Sequence, residues 1–120
     1  MDTTPTNHID PSRAPSGTGC ADCLAGDGAG WWFHLRRCAQ CGRIGCCDSS
    51  PSQHSSAHAR EAEHPVLTSF EPGETWFWNA ETEESFEGPD LAEPRARPES
   101  QPVPGPAGRV PADWTDRLHG

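Results

Sequence analysis

Between residues 20 and 64 the chain sets out cysteines and histidines in one run: Cys20-x2-Cys23, Cys38-x2-Cys41, the neighbours Cys46 and Cys47, then His54, His58 and His64. So many soft donors in one stretch constrain the fold more than any other feature. They could be disulfide partners, redox thiols, a catalytic metal site or structural metal sites, and each asks for a different spacing. Two Cys-x2-Cys pairs fourteen residues apart have the spacing of zinc knuckles, each offering two thiolates to a tetrahedral ion. With Cys47 set aside, five cysteines and three histidines make eight ligands, enough to saturate two tetrahedral ions. A catalytic zinc keeps one position open for water, so two structural Zn²⁺ ions per chain are expected. Four residues separate Cys41 from Cys46, whereas six residues separate Cys47 from His54. Either neighbour could therefore be the ligand, and Cys46 is favoured.

The rest of the sequence narrows the alternatives. The N-terminus, MDTTPTNHIDPSRAPSGTG, has neither a basic n-region nor an apolar h-region, so no signal peptide is read. A cytoplasmic location is expected, where thiols stay reduced and a disulfide framework is disfavoured. No apolar run approaches the ~18 residues a membrane helix needs. With no such run, no membrane partner is expected; the net charge is −9 and lysine is absent, which argues against a nucleic-acid partner, since the phosphate backbone calls for a basic footprint. This lysine-free composition, rich in Ala, Gly, Pro and Arg, has a bacterial look. Enzyme signatures fail on spacing: there is no HExxH, no deaminase His-x-Glu with Pro-Cys-x-x-Cys, and GDGAG at 26–30 lacks the GK[ST] of a phosphate loop. No enzymatic activity is expected.

Three zones follow from composition. Residues 1–19 are polar and rich in Pro, Ser and Thr, and read as disordered. Residues 20–87 hold all six cysteines and all four phenylalanines. Residues 88–120 read as a Pro-rich, acidic, disordered tail. A folded unit of about seventy residues is marginal on an apolar core alone. Within it, a strand is predicted at Trp32–Leu35 and a tight turn or very short strand at Arg43–Ile44. A helix is predicted from Asp48–Pro51 to Ala62 or Glu63, ended by His64-Pro65. A hairpin of Val66–Phe70 and Thr75–Asn79 is closed by Glu71-Pro72-Gly73-Glu74. His8, His34 and His119 stand outside the ligand pattern.

The order Cys-x2-Cys, Trp32, Cys-x2-Cys, x4, Cys46, His54-x3-His58, x5, His64-Pro65-Val66-Leu67, then an aromatic strand, resembles the UBP-type zinc finger, the ubiquitin C-terminus-binding finger family. The resemblance covers residues 20–80. It implies a small α/β zinc-stabilised domain: a short twisted antiparallel sheet, one helix and two interleaved zinc sites. By that resemblance Cys20 and Cys23 share an ion with Cys46 and His54, and Cys38 and Cys41 share the other with His58 and His64. Ubiquitin-binding members enclose a Gly-Gly tail between aromatic walls and hold it with an arginine two residues after the third-group cysteine. Trp32, Trp76 and Trp78 match the aromatic positions, but Asp48 stands where that arginine would be. The expectation is a monomeric module binding a protein or a short peptide tail, with ubiquitin itself disfavoured. A thiol/zinc redox switch and an accessory subunit of a larger enzyme are the alternatives.

Overall fold

The computed structural model describes residues 9–117; His8 and His119 lie outside them. Five short strands form one antiparallel sheet: β1 (Leu35–Cys38), β2 (Ile44–Cys46), β3 (Val66–Ser69), β4 (Phe77–Asn79) and β5 (Glu84–Phe86), in the order β2-β1-β3-β4-β5. A single helical turn, α1 (Ala21–Leu24), precedes the sheet, and helix α2 (His54–Glu61) lies between β2 and β3 in sequence. Two 3-10 turns, Ala107–Arg109 and Trp114–Arg117, follow.

Knuckle geometry sets the register of the first two strands. The turn after Cys38 closes through Gly42 N–H to the Cys38 carbonyl at 2.9 Å, with Gly42 at φ 85°, a left-handed conformation that favours glycine. The backbone carbonyl of Ala14 also crowds this glycine and leaves no room for a Cβ. Leu35 then pairs with Cys46 and Arg37 with Ile44. The strand predicted at Trp32–Leu35 therefore lies further along, at Leu35–Cys38, and of the tight turn or very short strand expected at Arg43–Ile44 the structure has the short strand, β2. Trp31 and Trp32 are buried beside β1, not in it; Trp32 makes only an isolated bridge to Gly105.

The helix also starts later than its Ser-Pro signal suggests. Ser50 N–H donates to the Cys47 carbonyl and Ser50 Oγ accepts from Phe33 N–H, so residues 47–52 are spent on turns. Gln53 takes φ 53°, and the first helical N–H, that of His54, donates to Cys46 Sγ at 3.2 Å. A cluster sulfur thus receives the free N–H that a polar cap would otherwise satisfy. Gly45 lets this turn lie directly on β2, since a Cβ there would meet Ser55 N at 2.8 Å.

β3 and β4 form the expected hairpin, and one strand was not foreseen. Asn79 Oδ1 accepts from Glu81 and Thr82 N–H, and Glu83 takes φ 59°, which turns the chain into β5. An Asx turn of this kind is legible in principle, but Glu84-Ser85-Phe86 lacks the apolar alternation of a strand.

The apolar core is small and split in two. One cluster joins Leu35, Ile44, Phe70 and Trp32 to three cysteines, Cys20, Cys23 and Cys46; the other holds Ala39, Val66, Phe77 and Leu91, with Ile9 and Phe86 packed against it. Ile9 and Leu91 belong to the segments whose composition reads as disordered, so that expectation is narrowed for residues 9–19 and 88–117. The buried Arg37 supplies a reason that composition cannot show: its guanidinium donates to the carbonyls of Arg13 at 2.8 Å and Pro94 at 3.1 Å. Glu71, also buried, takes Arg97 Nε at 2.7 Å and Leu35 N–H at 2.8 Å. Buried charge needs partners, and here the flanks provide them. No described helix is long and apolar enough to cross a membrane.

Candidate metal centre and adjoining groove

Three elements converge on the first cluster. Cys20 caps α1, accepting from Cys23 N–H at 3.4 Å, so the first knuckle is one helical turn. Cys46 ends β2 and His54 begins α2. His54 Nδ1 lies 3.3 Å from Cys20 Sγ, 3.4 Å from Cys23 Sγ and 3.6 Å from Cys46 Sγ. The second cluster joins the β1 knuckle to the far end of α2: Cys41 Sγ is 3.3 Å from His58 Nε2, and Cys38 Sγ is 3.6 Å from His64 Nδ1. In each group of four the donor atoms lie within 4.8 Å of one another.

These distances test the metal directly. Zinc–sulfur bonds of about 2.3 Å and zinc–nitrogen bonds of about 2.0–2.1 Å at a tetrahedral angle put S and N about 3.5 Å apart. The five S···N distances, 3.3 to 3.6 Å, match that edge. Three sulfurs around one imidazole nitrogen exceed what one ring proton can serve, whereas a shared cation accounts for all three. The sets are Cys3His and Cys2His2, both closed structural sets with no position left for water. With Zn²⁺ they carry net charges of −1 and zero.

Cys47 is excluded from both. It is buried, with Sγ 3.5 Å from Ser50 Oγ, and Cys46 takes the ligand position.

Acid–base chemistry points the same way. Thiols packed this closely cannot all ionise unaided. The Cys23 hydrogen bond holds Cys20 low, while hydrogen bonding to Cys20 drives Cys23 far up and pushes Cys46 up to about 12. Burial raises Cys38 to about 11. Burial, then the charge of His64, lowers His58 and keeps its imidazole in the neutral form that ligates. Protons compete with zinc most strongly at the raised thiols of Cys23, Cys38 and Cys46, whereas the lowered His58 stays neutral and available to the metal to lower pH, so retention holds at neutral pH and fails on acidification. Zinc release followed with a chromophoric chelator from about pH 8 to about pH 4 is expected to steepen below the ordinary histidine range, about pH 6.5. Retention unchanged down to the acid end would contradict the site chemistry.

Beside the clusters, between α2 and the sheet, runs a groove of about 1280 Å³. Pairing of Cys38 with Leu67, Leu67 with Trp78 and Trp78 with Ser85 puts these residues in one row across the sheet. Strand alternation then puts Arg36 and Trp76 on the same face. Trp76 and Trp78 both line the groove, Trp76 36% exposed, and Arg36 Cζ sits 4.9 Å from the Trp76 ring centroid. Trp32, expected to close this slot, is instead 3% exposed in the core against Cys20 and Cys23. Arg36 takes the wall position. Its signal was its place two residues before Cys38 on β1, which fixes the face but needs the strand register to be read. Arg60 and Asp48 also line the groove, whereas Arg43 turns away to an ion pair with Asp22.

A five-stranded antiparallel sheet with one helix carrying ligands to two interleaved Cys/His sets defines a treble of knuckles, turn and helix built around zinc. The chain belongs to the family described as the Zn-finger in ubiquitin-hydrolases and other protein, whose model matches residues 20–91, and its two clusters are the zinc sites of that fold. The solution NMR structure of a protein from Rhodopseudomonas palustris is similar at 36% identity with a TM-score of 0.62, covering 87% of this chain and 95% of that one. Comparison with curated proteins gives no match.

Proposed function

We propose that this zinc finger is a non-enzymatic, monomeric cytoplasmic module that binds a short segment of a protein partner in the groove between α2 and the sheet. The carrying observation is the pair Trp76 and Trp78, presented on one face of an open groove. Tryptophans are normally buried unless a partner covers them, and they dominate interface energetics. Arg36 and Arg60 face the same groove, and among the described residues neither is in an ion pair. They are the cations available to a ligand carboxylate. Asp48 stands on the rim and opposes the carboxylate of a tail seated as ubiquitin's would be. The ligand is therefore a thin, glycine-containing peptide other than ubiquitin.

The redox-switch reading has less support, because the spare thiol, Cys47, is buried against Ser50 and is not an exposed nucleophile. Tryptophan fluorescence and backbone amide shifts, followed while titrating glycine-ending peptides, their amidated forms and ubiquitin, test the proposal. Peptide binding is expected to weaken on Trp76→Ala by about thirtyfold, the equivalent of ~2 kcal/mol at an interface hot spot. Saturable tight binding of ubiquitin would overturn the ligand class, and tryptophans silent to every peptide would overturn the groove as the site.

A further inference from the structure

The loop between the first knuckle and Trp31 is built to be loose. Gly26, Gly28 and Gly30 take φ of 99°, 68° and 79°, and residues 24–29 are exposed. Glycine-rich chain loses the most entropy on ordering, so opening of this loop is the easiest local route for solvent to reach Cys23. Two side chains restrain it. Ser52 Oγ accepts from Ala29 N–H at 2.9 Å, a tie internal to the finger. The other comes from the C-terminal segment, beyond the residues that the family model matches: Arg109 Nη1 donates to the carbonyls of Cys23 at 2.7 Å and Gly30 at 3.3 Å. One guanidinium nitrogen thus bridges the two ends of the loop.

The segment bringing Arg109 there is itself anchored. Arg97 N–H donates to the Phe70 carbonyl at 2.9 Å, Gln101 Nε2 to the Thr18 carbonyl at 2.7 Å, and Gly105 exchanges two backbone hydrogen bonds with Trp32. The cation also arrives beside the Cys3His cluster, whose zinc complex carries −1, and not beside the neutral one. From these observations we infer that Arg109 is a positioning residue that sets how long zinc stays in the Cys20–Cys23–Cys46–His54 site, making the C-terminal segment a clamp on metal exchange at one site of the two. With zinc held by these four residues, exchange would be ligand substitution without redox change, the chelator's donor replacing the Cys23 thiolate, which would then be protonated by solvent. The clamp slows it by keeping the loop closed over the leaving sulfur.

The test uses the full zinc-loaded chain. Zinc transfer to a coloured chelator is timed for the native protein, Arg109→Gln, Arg109→Lys and, as a control cation, Arg95→Ala; cadmium NMR of the same proteins separates the three-thiolate site from the two-thiolate site. Arg109→Gln is expected to quicken one kinetic phase about tenfold, the effect of losing a charge-assisted hydrogen bond. It should also broaden only the three-thiolate cadmium resonance. Arg109→Lys, which keeps a charged donor, should fall between it and the native protein. Unchanged phases, equal acceleration of both phases, or the same acceleration in Arg95→Ala would overturn the inference.

Discussion

Removal of both zinc ions with a strong chelator is expected to abolish most of the far-ultraviolet circular dichroism, and zinc added back to restore it. The strands are three or four residues long, and α2 buries only Ala59. An isolated eight-residue helix is not stable in water, and strands this short need a packed face. Of the seven residues in the larger apolar cluster, three are zinc ligands. Structural zinc contributes about 10–16 kcal/mol of apparent binding free energy per site, against a typical domain stability of about 5–15 kcal/mol. The metal contribution is therefore as large as the whole folding free energy. A spectrum unchanged after elemental analysis confirms metal loss would mean that the sheet stands on side-chain packing alone.

The adjacent cysteines should separate sharply on substitution. Native protein is expected to carry two zinc ions; Cys46→Ser should lose the first site and much of the fold, while Cys47→Ser should keep both ions. Cys46 Sγ faces His54 Nδ1 and also accepts the His54 N–H, so its loss removes a ligand and the start of α2 together. Cys47 Sγ touches Ser50 Oγ, a contact that serine can replace with a hydroxyl. Zinc content by elemental analysis and thermal unfolding decide it. Loss of zinc in Cys47→Ser with retention in Cys46→Ser would exchange the two roles.

The metal ligands were legible because knuckle spacing is local: two residues between paired cysteines dictate the turn, whatever surrounds it. The split of eight donors into two interleaved sets came from family resemblance. The structure supports that split by placing His54 and His58 one turn apart along α2, each in a different cluster. What escaped the sequence depended on distant partners. Trp32 reads as strand and as groove wall on pattern, yet Gly105, seventy-three residues on, pairs with it. Arg36 reads as one charge among many until β1 is registered against β3, and only then does it come to lie over Trp76. The flanks read as unstructured because their anchors are scattered single residues, among them Ile9, Leu91, Arg97, Gln101 and the carbonyls that accept from Arg37.

Because α2 is fastened at its start by one metal site and further along by the other, its outward positions answer to almost no structural demand. Ser55, Ser56 and Arg60 of the helix face the groove, and none of them is a ligand. The helix therefore resembles an interchangeable nameplate bolted at both ends: its lettering can be rewritten while the bolts hold. Natural variants of this finger would then diverge fastest at these three positions and acquire new binding partners with little change in thermal tolerance.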